Sequence, residues 1–237
     1  MREAILLRLE EILTYEAIDN QISSLNKDSY WYNQSYRQFI KRFKETRGEA
    51  TIGVWAERVA LVYSWLPKIP LKSFALDTDT LQGNIDRLSE LESIFYDAEL
   101  STIGRTAYLG SLYHGETIFS SYKGYYDTAI REFLIPAGFL IHKQPNLDTQ
   151  LSSITKLLHF MCPYLFPIFD TKVCKQLFDA TRQTYERYHM YVFGLQEFLQ
   201  RSDVGAYVLS IADKMDLSPL YIIDLVIFNA EDAVNVP

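Results

Sequence analysis

Lys156 and Asp170 are the residues of this sequence whose types and spacing come closest to a chemical site. A lysine amine freed of its proton attacks electrophilic carbon and forms Schiff bases, and a nearby carboxylate takes up a proton or faces developing positive charge. Lys156 lies fourteen residues before Asp170, within Ser152-Ser153-Ile154-Thr155-Lys156-Leu157-Leu158-His159-Phe160. Ser152, Lys156 and His159 stand at i, i+4 and i+7 and share one stripe of a helix. The opposite face carries Leu151, Ile154, Leu157, Leu158 and Met161. His159 is the candidate base of the group, and Ser152 with Lys156 permits a Ser–Lys dyad. The plainer reading is a solvated helix face with a half-buried histidine, followed by a helix cap, because aspartate is a preferred N-cap residue.

Positioning these groups requires a helix, a tight return and a second helix. Pro163 stops the first helix, and Tyr164 to Phe169 brings the chain back as a proline-broken apolar run. Asp170 then caps a helix carrying Val173, Leu177 and Phe178. Two antiparallel helices joined in this way bring Asp170 toward Lys156.

The rest of the chain also reads at helical period. Ile5, Leu9, Ile12, Leu13, Ile22 and Leu25 trace one face of a long first helix, and Tyr36, Phe39, Ile40 and Phe43 a second. Val54 to Leu66 forms a third, stopped by Pro67 and Pro70, and Asp77 or Thr78 caps a fourth through Leu81, Ile85, Leu88, Leu91 and Phe95. Thr102 to Gly124 is interrupted by glycines and reads as short helices joined by tight turns; Thr128 to Leu140 is helical around Pro136. Pro145-Asn146 is a loop, and helices follow over Leu147 to Met161, Tyr185 to Leu199, Val204 to Met215 and Leu220 to Asn229, the last opened by Ser218-Pro219. No period-two strand and no internal repeat is visible. The expected fold is all-α, a compact multi-helix globule without significant sheet. It forms a single helical domain over residues 1–237, with a weak subdivision near 145–146.

Composition narrows the function classes. A net charge of −7 weighs against broad nucleic-acid binding, which depends on neutralising phosphates. The charge is uneven, however: Arg37, Lys41, Arg42, Lys44 and Arg47 cluster against Glu45 alone, beside the aromatic stretch Tyr30–Tyr36. Such a basic helix can carry a local nucleic-acid footprint. From Asp77 to Glu99 the balance reverses, with seven acids against Arg87. Two cysteines, Cys162 and Cys174, are too few for a disulfide framework, and His114, His142 and His189 share no ligand spacing, so no metal or cofactor is expected. No apolar run is long enough to cross a bilayer, and the charged N-terminal segment lacks the apolar stretch of a signal peptide. The expectation is a cytoplasmic protein that does not engage membranes.

Phe166-Pro167-Ile168-Phe169-Asp170-Thr171-Lys172-Val173 resembles the aspartate segment of the helix-hairpin-helix base-excision DNA glycosylases, especially their adenine-removing branch. Phe166, Pro167, Ile168, Asp170 and Val173 match that segment, and the resemblance spans Ser152 to Leu177. It implies a protein that cleaves the N-glycosidic bond of a flipped base. Asp170 would be the catalytic carboxylate, and Lys156 the lysine that members with lyase activity carry. Phe160, Tyr164 and Phe169 would wall the base slot with Ser152 at its edge, and Arg37, Lys41, Arg42 and Lys44 would contact DNA phosphates. The family's hairpin is rich in glycine, whereas Leu151 to Thr155 contains none. That difference, with the acidic net charge, favours an alternative: a non-enzymatic helical module that keeps the fold and recognises a protein partner.

Overall fold

The computed structural model describes residues 2–25, 31–66, 76–101, 134–141, 147–148 and 150–230. The described elements are all helices: α1 (Arg2–Ile12), α2 (Tyr15–Leu25), α3 (Trp31–Glu45), α4 (Ile52–Tyr63), α5 (Thr78–Ser101) and α6 (134–141). They continue with α7 (Leu151–Met161), α8 (Thr171–Phe178), α9 (Tyr185–Arg201), α10 (Val204–Met215) and α11 (Pro219–Asn229). The protein is therefore all-α, with no strand among the described residues. None of its described helices is long and apolar enough to cross a membrane. The expectations for Thr102 to Gly124 and for Pro145-Asn146 lie outside the described residues, as do residues 128–133 of the helix expected around Pro136.

Helix starts follow capping chemistry, in which a side-chain oxygen takes up amide protons that have no partner within the helix. Thr51 accepts from Val54, Asp77 from Thr80, Thr184 from Arg187 and Ser218 from Tyr221. Helices α8 and α10 end on Asp179 and Asp216 in the left-handed conformation, with φ of 48° and 52°. The expected long first helix is in fact two. The chain breaks at Leu13-Thr14, where the Thr14 hydroxyl accepts from the Ala17 amide and opens α2. The apolar face runs through this break, since Leu13 and Ile18 are both buried. Likewise α7 begins at Leu151, four residues after the expected Leu147, which lies in a turn.

Buried residues from these helices form one contiguous cluster. Helix α7 lies inside it: α3 and α4 pack against it, and every residue except Ser152 is buried. The polar stripe of α7 is accordingly not a solvated face. A helix buried on all sides tolerates polar residues only where other elements supply their partners. Helix α11 packs against α2, α8 and α10, and α9 against α1 and α10.

An ionic cluster ties α3, α4 and α5 together. Arg58 donates to Glu92 Oε2, Thr46 Oγ1 and the Phe43 carbonyl, each at 3.0 Å. Its guanidinium also lies over the rings of Trp55 and Phe43. Glu92, from the acidic stretch in which Arg87 is the lone cation, thus finds its partner on another helix.

Candidate active site

The return between α7 and α8 is held by side chains from four directions. The Ser218 hydroxyl donates to the Pro163 carbonyl at 2.6 Å, and the Tyr188 hydroxyl to the Pro167 carbonyl at 3.3 Å. Gln183 Nε2 donates to the Phe169 carbonyl and to Ser152 Oγ, both at 2.9 Å. The Phe169 amide donates to Thr155 Oγ1 at 3.0 Å, and that hydroxyl in turn donates to the Leu151 carbonyl at 2.7 Å. His159 Nδ1 lies 2.8 Å from the Phe166 carbonyl. A carbonyl only accepts, so Nδ1 carries the proton, and Nε2 accepts from the Tyr36 hydroxyl at 3.0 Å. Bonds of this kind satisfy buried backbone groups that a loop otherwise exposes to water.

The pinned loop ends on Asp170. Its Oδ1 accepts from the amides of Lys172 and Val173, both at 3.0 Å, while Oδ2 lies 3.7 Å from Lys156 Nζ. The Lys156 and Asp170 side chains are 11% and 14% exposed, so the pair borders solvent. At 3.7 Å the contact is an ion pair longer than a hydrogen bond. The sequence-predicted pair is thus in contact, and Asp170 serves as a helix cap at the same time.

His159 is fully buried, and that burial lowers its imidazole to about 4, an effect the Phe166 carbonyl offsets in part. It is neutral near pH 7 and has a partner on each ring nitrogen. Its work is to hold the loop, and it does not face Asp170 as a free base. Phe160 lies in the core among Tyr36, Phe39, Phe43 and Trp65, and Phe169 packs against Phe178, Tyr188 and Tyr191. Tyr164 is buried beside them in sequence, and Ser152 is half-buried at Gln183.

On the basic helix, Arg42 makes a two-pronged pair with Glu57 at 2.6 and 2.8 Å. Lys41 lies 3.8 Å from Glu45, and Arg37 donates to the carbonyl of Met215, the last residue of α10, at 2.9 Å. Lys44 is exposed on the same helix. Tyr36 is buried, its ring stacked 3.6 Å from that of Tyr221.

One residue of the neighbourhood escaped the sequence reading. Asp224, in the middle of α11, is 7% exposed, and its Oδ1 has no hydrogen-bond partner. Burial pushes its carboxyl well above the usual carboxylate range; the charge of Asp170 adds to this, and Lys156 opposes it. The signal was present as one acid within the otherwise apolar run Leu220-Tyr221-Ile222-Ile223-Asp224-Leu225-Val226-Ile227-Phe228. An acid in such a run has no solvated face to occupy. Among the described residues no group of three or more His, Cys, Asp or Glu side chains is placed to hold a metal ion.

Comparison with protein-family models, with curated proteins and with solved structures found no match to this chain.

Proposed function

We propose that this is a glycosylase-like DNA-processing protein whose centre is the Lys156–Asp170 pair. The reading rests on one observation: two residues fourteen apart, in a segment resembling the glycosylase aspartate segment, meet at 3.7 Å at the edge of the core. The Asp170 carboxylate stands at a helix N-terminus with Oδ1 held by two amides, which keeps Oδ2 directed away from the cap. A carboxylate so placed stabilises positive charge developing on deoxyribose as the glycosidic bond breaks, or orients the attacking water. In the structure Lys156 is an ion-pair partner of Asp170. Schiff-base formation requires the amine to leave that pair and lose a proton.

The test is base release from a panel of mismatched and damaged duplexes, run with borohydride trapping of any Schiff base. Free base from at least one duplex supports the reading, and an adduct that Lys156→Gln abolishes adds the lyase step. No release and no adduct across the panel overturns it.

A second reading, a helical module that binds a protein partner without chemistry, is favoured by the basic helix. Arg37, Lys41 and Arg42 already have partners within the chain. Phosphate contacts would have to displace them, and binding that does so weakens steeply with salt. Lack of DNA binding even at low ionic strength, together with no base release, favours this reading.

A further inference from the structure

We infer that Gln183 is a positioning residue of this site: its side-chain amide ties the peptide in front of Asp170 to the helix that carries Lys156, and so sets the distance between the two. Gln183 lies in the connection between α8 and α9 and is buried. Its Nε2 donates to the Phe169 carbonyl and to Ser152 Oγ, both at 2.9 Å. Phe169 immediately precedes Asp170, and Ser152 stands one helical turn before Lys156 on α7. A carbonyl only accepts, so the amide nitrogen must face Phe169, and a primary amide has the two hydrogens that both bonds need.

The other half of the Phe169 backbone is also held from α7. Its amide donates at 3.0 Å to Oγ1 of Thr155, the neighbour of Lys156 in the chain. This bond fixes where Phe169 lies but not the rotation about its Cα–C bond. The peptide that follows is planar, so the direction of the Phe169 carbonyl determines where the Asp170 Cα goes. The Gln183 bond fixes that direction. Gln183 is itself anchored on both sides: the Arg182 carbonyl accepts from Cys174 Sγ at 3.4 Å, and Thr184 caps α9. The next amide, that of Tyr185, donates to Asp148 Oδ1 at 2.9 Å.

The Lys156–Asp170 contact is already longer than a hydrogen bond at 3.7 Å, and its attraction fades once water enters between the charges. Without the Gln183 amide, the buried Phe169 carbonyl turns toward another donor and carries Asp170 away from Lys156. Asp170 still caps α8, because its bonds to the Lys172 and Val173 amides are local to that helix. Capping and pairing thus come apart: the cap is made within α8, whereas the pairing depends on Gln183. That the pair serves catalysis rests on the proposed function; that Gln183 positions it does not.

The test reads the pair rather than base release, so the positioning and the glycosylase reading can fail separately. A double-mutant cycle of Lys156→Met and Asp170→Asn, read from folding equilibrium constants in denaturant, gives the coupling between the two residues. It is run in the parent, in Gln183→Met, which keeps the side chain's length without its donors, and in Tyr188→Phe. The last keeps the ring against Phe169 and removes another bond to the loop, at the Pro167 carbonyl. The coupling should be at least about fivefold in the parent and in Tyr188→Phe, and within about twofold, the limit of additivity, in Gln183→Met. A merely structural bond would lower every stability of the cycle alike and leave the coupling unchanged. A parent coupling within about twofold, a coupling retained in Gln183→Met, or an equal loss in Tyr188→Phe overturns the assignment. Should Gln183→Met fail to fold, Ser152→Ala, which cuts the bridge at α7, decides: a coupling at least about twofold below the parent's supports the assignment, and an unchanged one overturns it.

Discussion

The Arg58–Glu92 cluster and the Lys156–Asp170 pair, with the buried Asp224 on the last helix, use similar groups under opposite charge balances. In the first, one carboxylate meets two guanidiniums: Arg58 at 3.0 Å and Arg47 at 3.9 Å. The Arg58 and Glu92 side chains are each 1% exposed. Burial pushes the Glu92 carboxyl up, and Arg58 pulls it back with a charge and a hydrogen bond. In the second, the Lys156 ammonium pairs with Asp170 near solvent, while the buried Asp224 carboxyl, raised by burial and by the charge of Asp170, lacks a hydrogen-bond partner for Oδ1. A buried carboxylate with cations to spare can remain an ion, whereas one short of cations keeps its proton. The first arrangement reads as a fixed joint between helices. Both leave one buried carboxylate oxygen without a hydrogen-bond partner, Glu92 Oε1 and Asp224 Oδ1, so what separates them is the supply of cations.

The largest effect expected from perturbing either cluster is in the first. Arg58→Met keeps apolar bulk but leaves Glu92 sealed without its main partner, and should lose about 3–5 kcal/mol in denaturant unfolding. A loss below about 1 kcal/mol would show that the joint is dispensable and erase the contrast.

The next effect is a pH dependence from His159. Its folded-state value of about 4 lies below the ordinary histidine value of 6.5, so the unfolded chain binds the extra proton first as pH falls. Stability from this group is complete above about 6.5 and is lost as pH falls toward 4, by on the order of 3 kcal/mol. Asp224 works in the opposite sense, because a carboxyl raised by burial loses stability as pH rises above the ordinary carboxylate range. Melting curves over this window should flatten on the acid side in His159→Gln and rise at neutral pH in Asp224→Asn. Parallel curves for parent and both variants would contradict both assignments.

Lys156→Met should cost about 1–3 kcal/mol, less than Arg58→Met, because Asp170 keeps two amide donors and some contact with water. A cost equal to that of Arg58→Met, measured the same way, would mean that the two clusters are alike. The smallest change is expected from Asp170→Ala, about 0.5–2 kcal/mol through the lost cap. Asp170→Ala melting like the parent would remove the cap from the account.

Much of this was legible in the sequence, for reasons that can be traced to particular residues. Asp170, Asp77 and Ser218-Pro219 marked helix starts because capping is local chemistry, readable from neighbours in the chain. The break at Thr14 was hidden because the buried face runs on through Leu13 to Ile18, and period alone does not reveal a change of helix axis. The burial of Lys156 and His159 was hidden for a different reason. A polar stripe looks the same whether water or another helix satisfies it, and the partners Tyr36, Phe166 and Asp170 come from three separate places. Arg58 and Glu92 likewise resemble surface charges until the fold joins them across thirty-four residues.

The central claim, that Asp170 does chemistry as well as capping, is tested most directly by measuring base release and thermal stability on the same Asp170→Asn protein. Asparagine keeps a cap-competent oxygen and removes the charge. An Asp170→Asn protein should melt close to the parent and have lost base release on the duplex the parent cleaves. An Asp170→Asn protein that melts like the parent and releases base at the parent's rate would contradict it.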